Sequence, residues 1–256
     1  MPQPEPALRL RALTKRFGPT TAVDQLDLDV PRGSFYGLVG PNGAGKTTTL
    51  SMATGLLRPD EGTAHVLGVD VWADPVAAKA KIGVLPDGLR IFDRLTGRQL
   101  VTYAGLLRGM PRELVEQRVE ELLVALGLTE ARDKLVIDYS AGMTKKVTLA
   151  CALVHAPRLL VLDEPFEAVD PVSARTIRGI LEGFAGSGGT VVLSSHVMDL
   201  VERICTDVAI IVAGRVRTAG PLEVVREGGR LEDRFLELVG GATDVEGLAW
   251  LRTSSD

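Results

Sequence analysis

The sequence predicts an α/β fold with a largely parallel sheet, on three observations. Short apolar runs recur at Phe35–Val39, Ile82–Leu85, Leu159–Leu162, 190–193 and 208–212, and Leu159–Leu162 is uninterrupted, as a strand covered on both faces should be. Helical patterns fall between these runs, one from 46 to about 56 and another behind Asp170-Pro171. From about 88 to 157 strand signals fade and helical ones dominate, which reads as an inserted helical unit. Strands alternating with helices give a parallel sheet, and ligands of such sheets bind at the carboxyl ends of the strands.

Taken in order, residues 7–30 read as a hairpin, because Leu26-Asp27-Leu28-Asp29-Val30 alternates strictly. The helix beginning at Lys46 is expected to close at Arg58-Pro59-Asp60-Glu61-Gly62, and the strand Ile82–Leu85 to stop at Pro86. Inside the insertion, Val115, Val119, Leu122 and Leu126 share one helical face behind Pro111, a residue suited to a first helical turn. Asp170 followed by Pro171 is a capping pair, the helix it opens buries Ile177, Ile180, Leu181 and Phe184, and Gly186 to Gly189 ends it. From Pro221 two short helices and a tail are expected. The organisation is thus one domain over 7–220, with the helical unit at about 88–157, and a short helical tail over 221–256.

Composition narrows the function. Hydrophobic residues make up 45% of the 256, enough for a sizeable core, and charged residues 24%. A net charge of −4, a pI near 5.5 and a single notable basic pair in the middle of the chain, Lys145-Lys146, argue against nucleic acid as a partner. Cys151 and Cys205 fit neither a metal spacing nor a disulfide framework, and read as small buried hydrophobes in a reducing compartment. The Pro-rich start from Met1 to Pro6 lacks the pattern of a signal peptide, and no apolar run approaches the ~20 residues of a membrane span.

Two motifs carry the chemistry. Gly40-Pro41-Asn42-Gly43-Ala44-Gly45-Lys46-Thr47 matches G-x-x-x-x-G-K-T between a strand and a helix. Its glycines let backbone N–H groups approach an anion, and the helix N-terminus adds about half a positive charge. Lys46 can reach the β- and γ-phosphates of a nucleoside triphosphate, and the Thr47 hydroxyl can bind Mg²⁺. At the end of the strand Leu159–Leu162, Asp163 would hold Mg²⁺ and Glu164 would polarise the attacking water as general base.

Further elements give a specific resemblance. Ser140-Ala141-Gly142-Met143, ahead of Asp163-Glu164, resembles the signature of ABC transporter ATP-binding proteins, usually S-G-G-Q. Lys15-Arg16-Phe17-Gly18 is similar to the loop whose aromatic stacks on adenine, and Ile82 to Asp87 to the segment entering the Q-loop. Glu167-Ala168-Val169-Asp170 resembles the loop crossing to a partner subunit, and Ser194-Ser195-His196 the switch histidine that contacts the γ-phosphate. The resemblance covers roughly residues 7–220. It implies a phosphate-loop NTPase (RecA-like) core with an N-terminal antiparallel β subdomain and an inserted α-helical subdomain. It implies ATP and Mg²⁺ as cofactors, with Glu164, His196 and Asp87 catalytic and Thr47, Asp163 and Asp87 at the metal. The nucleotide contacts implied are Phe17, Val23, the loop from Gly40 through Thr48, Ser140, Gly142 and Asp170. Three positions depart from the pattern: Asp87 stands where a glutamine is usual, Met143 replaces the signature glutamine, and Ala141 a glycine. They bear on the rate of hydrolysis and the tightness of closure.

What the resemblance implies about mechanism is pairing of two copies head to tail, each ATP held between Lys46 of one and Ser140 of the other. Lys145 and Lys146, in the first turn behind Ser140, would call for an anion in front of that helix end. The partners implied are a polytopic transmembrane permease and a second ATPase subunit, a homodimer, with the chain on the inner face of the cell membrane. The segment Ile91 to Gly97, the entry Tyr139-Ser140, and Leu231 to Leu236 resemble ATPases of bacterial multidrug or natural-product exporters. Two alternatives stay open: an ABC ATPase unconnected with transport, and a weakly hydrolysing regulatory subunit.

Overall fold

The computed structural model describes residues 5–88 and 92–240; Met1 to Pro4, Leu89 to Ile91 and the part of the expected tail beyond Gly240 lie outside the described residues. The elements in chain order are β1 (Leu8–Phe17), β2 (Thr20–Val30), β3 (Phe35–Val39), α1 (Lys46–Ala53), β4 (Glu61–Val66), β5 (Val69–Asp70), α2 (Pro75–Lys81), β6 (Ile82–Leu85), α3 (Gly97–Leu107), α4 (Arg112–Ala125), α5 (Ala141–Leu153), β7 (Leu159–Leu162), α6 (Pro171–Gly186), β8 (Thr190–Ser195), α7 (Met198–Ile204), β9 (Asp207–Val212), β10 (Arg215–Pro221), α8 (Leu222–Val225) and α9 (Leu231–Val239). Two sheets result. One is antiparallel in the order β2-β1-β4-β5; the other runs β10-β9-β3-β8-β7-β6 and is parallel apart from its β10 edge. The parallel core, the antiparallel β unit and the helical insertion α3–α5 are those the sequence predicts.

The apolar run of β7 shows why that sheet needs cover on both faces. Leu160 and Leu162 belong to a core shared with α6, α7 and the inserted helices, while Leu159 and Val161 belong to a second core shared with α1 and the antiparallel sheet. With side chains alternating across a strand, only a doubly buried strand is apolar at every position. All four residues are 1% exposed or less.

Some local expectations are corrected. Helix α1 stops at Ala53 instead of about 56, because Thr54 turns its hydroxyl back to Leu50 O at 2.8 Å and Gly55 takes a left-handed φ of 74°. The stretch expected to close that helix already contains the start of β4. Pro111 is the N-cap of α4 and precedes its first turn, and Leu123 is buried while Leu122 is only half buried. Strands β4, β5 and β10 and helix α2 were not expected from the sequence. Cys205 is buried and Cys151 half buried, and both are free.

Leu160→Ala should cost about 2–5 kcal/mol in urea unfolding, since the cavity opens within a strand packed on both faces, whereas Val124→Ala, 63% exposed on α4, should change stability by no more than about 0.5 kcal/mol.

Candidate functional site

The parallel register sets the carboxyl ends of β6, β7, β8 and β3 side by side. Leu85 pairs with Leu162, Leu162 with Leu193, and Val39 with Ser195. The loops that leave this edge carry Gly40 to Thr47 after β3, Asp87 after β6, Asp163-Glu164 after β7 and His196 after β8. Asp163 N also donates to Leu85 O at 2.7 Å, which carries the β6–β7 pairing one residue further into the site.

In the phosphate loop, Gly45 adopts φ 101° as the N-cap of α1, and an added Cβ there would lie 2.4 Å from Ala22 O. No side chain fits, so the loop must pass this point as glycine. Lys46 is 7% exposed and donates from Nζ to Gly40 O at 2.7 Å and Pro41 O at 3.2 Å. Burial pulls its pKa below the ordinary lysine value, and the charges of Glu164 and Asp163 oppose that shift. The lysine thus lies across the loop, against the loop's own carbonyls. Thr47 is exposed, Thr48 half buried, and Ala44 buried beneath the turn. Val23, expected among the nucleotide contacts, is fully buried, with a methyl 3.3 Å from the position a Gly45 Cβ would take. It supports the loop from behind, because the alternation of β2 turns it into the core.

The acid pair is held from several sides. Ser194 Oγ, fully buried on β8, donates to Asp163 Oδ1 and accepts from Glu164 N at 2.9 Å. Glu164 has a left-handed φ of 45°, costly for a residue with a side chain by about 1–3 kcal/mol. Its carbonyl accepts from Lys145 Nζ at 2.8 Å, and its carboxylate Oε1 lies 3.1 Å from His196 Nδ1. His196 is half exposed, while the Glu164 side chain is 13% exposed. A carboxylate at the rim of a sheet with an imidazole beside it can accept a proton from a water in front of it. Asp87 Oδ1 stands 3.6 Å from Lys145 Nζ.

A divalent cation fits this edge. Asp163 is 4% exposed, yet no lysine or arginine pairs with it among the described residues. With the Thr47 hydroxyl it offers the hard oxygen donors that Mg²⁺ prefers. Asp87 is turned to Lys145 in this structure and not to Asp163.

Ser140 opens α5, and its Oγ accepts from Met143 N at 3.3 Å, as expected of a capping serine. Gly142 is buried against the start of α6, where an added Cβ would lie 2.7 Å from Asp170 Oδ2 and 2.8 Å from Ser173 Oγ. Asp170 caps α6 by accepting from Ser173 N and Val172 N, and the bonds from Ser173, backbone first and side chain second, hold its carboxyl below the usual range. Its charge is therefore engaged with a helix end inside its own chain, a poor arrangement for a direct phosphate contact. The expectation for the lysines is corrected as well: α5 begins at Ala141, so Lys145 sits beyond the first turn and its charge is met by Asp87 and Glu164 O, while Lys146 is buried. Phe17 ends β1 as a half-exposed ring with Lys15 Nζ 5.8 Å from its centroid. The roles of Ser194 and Lys145 at the acid pair escaped the sequence reading; Ser194, in the Ser-Ser-His triplet beside the expected histidine, was the available signal.

Comparison with known proteins gives a consistent family picture. A model of the ABC transporter family matches residues 23–167. The daunorubicin/doxorubicin resistance ATP-binding protein DrrA of Streptomyces peucetius is 39% identical over 218 residues, 85% of this chain and 66% of that protein, so the match falls just short of two thirds of its length. The ABC transporter ATP-binding protein NatA of Bacillus subtilis is 36% identical over 83% of this chain and 87% of its own. Among solved structures, an ATP-binding subunit of an ABC transporter superposes with a TM-score of 0.84 at 26% identity, covering 91% of this chain and 99% of that one.

Ser194→Ala removes a donor to a buried carboxylate and the acceptor of Glu164 N together. It should lower the unfolding free energy by about 1–3 kcal/mol in urea titration, and an unchanged midpoint would contradict the bonding described here.

Proposed function

The chain belongs to the ABC transporter family, and from that premise we propose that it is the ATP-hydrolysing subunit of a membrane exporter, working as a pair of copies closed head to tail around ATP. The observation that carries this reading is the convergence, at one sheet edge, of a glycine-built phosphate loop with Lys46, a buried Asp163 that no lysine or arginine pairs with among the described residues, and Glu164 facing His196 at 3.1 Å. The names of two similar proteins, a drug-resistance ATP-binding protein and Nod factor export ATP-binding protein I, support export as the direction.

In this reading the adenine stacks on the exposed ring of Phe17. The phosphates enter the loop, and Lys46 exchanges the carbonyls of Gly40 and Pro41 for the β- and γ-phosphate oxygens. Thr47 and Asp163 are the residues that would hold Mg²⁺, which when bound offsets phosphate charge. Glu164 takes the proton of the attacking water, and His196, beside its carboxylate, orients it toward the γ-phosphate. Ser140 and the N-terminus of α5 from a second copy complete the cradle. Binding thus favours the closed pair and hydrolysis releases it, a switch set by the different contacts of the two states.

Docking of a permease has a candidate surface. Phe92 and Tyr103 meet edge to face, 5.6 Å between centroids, and both are exposed, as is Leu107. With Val84, Leu100 and Cys151 they line a cleft of about 350 Å³ between α3, α5 and β6. Exposed aromatic and aliphatic side chains around such a cleft suit an apolar segment of a partner. No helix among the described residues is long and apolar enough to cross a membrane, so the transport path is assigned to that partner.

Glu164→Gln should keep ATP binding, lower phosphate release by about 10²–10⁴-fold, and form a dimer in Mg²⁺ and ATP by light scattering. Turnover near that of the parent would reject Glu164 as the base. Lys46→Ala should lose ATP affinity by titration, and an affinity equal to the parent's would count against the loop as the phosphate site.

A further inference from the structure

Lys145 is not used by the mechanism above, yet it is the side chain through which three segments of the site meet. It projects from α5, its neighbour Asp87 lies two residues beyond the end of β6, and its hydrogen-bond acceptor is the carbonyl of Glu164 after β7. A lysine with a merely solvated role would extend into water; this side chain is 18% exposed. Its ammonium spends a hydrogen bond at 2.8 Å on Glu164 O, and the Asp87 carboxylate at 3.6 Å lies within ion-pair range but outside hydrogen-bond range. Asp87 therefore neutralises the charge without drawing the donor away from the carbonyl.

What the bond holds is a strained residue. Glu164 has φ 45°, its N–H is held by Ser194 Oγ on β8, and its C=O is held by Lys145 on α5. A left-handed backbone outside glycine persists only where its surroundings over-determine it. Without the bond to its carbonyl the turn loses one of these two tethers, and the carboxylate beside His196 Nδ1 is held less firmly. The two tethers come from different parts of the fold: Ser194 belongs to the parallel sheet, Lys145 to the inserted helical unit, on the same helix that Ser140 opens.

We propose that Lys145 is a positioning residue for hydrolysis, tying the backbone of Glu164 to α5 with Asp87 as counter-ion, so that the base is set only while the helical unit stands against the sheet as it does here. The inference rests on Glu164 being the base. It also gives Asp87 a role a glutamine could not fill, since an amide carries no charge to balance the ammonium.

The test uses the full chain with Lys145→Met, Lys145→Arg and Glu164→Gln, measuring kcat and KM for ATP, ATP affinity by titration and the thermal midpoint. Lys145→Met should lower kcat about tenfold or more with ATP affinity within about twofold of the parent, and Lys145→Arg, which keeps a charged donor, should retain at least about a third of the parental kcat. A loss of kcat below about threefold in Lys145→Met, a change confined to KM, or Lys145→Arg no faster than Lys145→Met would each overturn the proposal. Should Lys145→Met not fold, Lys145→Arg against Lys145→Gln carries the same test: Arg faster by about threefold or more at equal ATP affinity supports it, and equal rates overturn it. A parent no faster than Glu164→Gln means the base assignment itself has failed. A parent that is faster, matched by Lys145→Met, means that only the role of Lys145 has.

Discussion

One buried hydroxyl organises the site. Ser194 Oγ donates to the Asp163 carboxylate and accepts from the N–H of the next residue, Glu164. A hydroxyl can donate once and accept, and here both capacities are used within a fully buried position. The effect is to send two consecutive acids in different directions. Asp163 stays behind in the sheet with one oxygen engaged, while Glu164 is forced through a left-handed turn that brings its carboxylate to the rim beside His196. Two carboxylates in sequence would repel if they shared one space, and the strained turn separates them. The energetic cost of that turn is met by the bonds on either side of it and by the packing of β7 into two cores.

The same economy governs the phosphate loop. Burial of Lys46 is unfavourable for its charge, and the loop offsets this with the carbonyls of Gly40 and Pro41 and with the nearby acids. In the proposed reading an incoming phosphate would replace two neutral acceptors with charged ones, so the ammonium would gain on binding without first having to be desolvated. The glycine at 45 is indispensable because the backbone of β2, at Ala22, occupies the space a side chain would need.

Much of this was legible in the residues. Motif spacing placed the phosphate loop, the acid pair and the helix opened by Ser140, because each depends on short-range chain geometry at a strand end. The parallel sheet followed from runs such as Leu159–Leu162 that only double burial explains. What was missed lacks a local signal. Strand β4 begins with Glu61-Gly62, which reads as a turn, and buries only Ala64 and Val66; β10 is an edge strand with Arg215 and Arg217 and no fully buried residue. Their pairing is decided by neighbours far away in sequence. Val23 looks like any strand residue near a loop until β2 is seen turning it inward. Lys145 belongs to this class too: a lysine near a helix start predicts an electrostatic problem, and only the tertiary fold shows that Asp87 and a carbonyl solve it.

The start of α5 shows how such solutions constrain any second copy. The first-turn N–H groups of a helix have no partner within it; Ser140 Oγ takes that of Met143, and the buried Gly142 lets Asp170 Oδ2 come close to the same end. Asp170 meanwhile caps α6 with its other oxygen. The carboxylate therefore caps α6 and lies beside the start of α5. In the proposed pairing, a phosphate brought to Ser140 by the other copy approaches a helix end with this acid beside it. The charge of the incoming group would then be balanced mainly from its own side, by Lys46 and by the Mg²⁺ that Thr47 and Asp163 would hold. Pairing without a lysine across the nucleotide would set phosphate against Asp170, which ties the attraction between copies to the same side chain that grips the nucleotide.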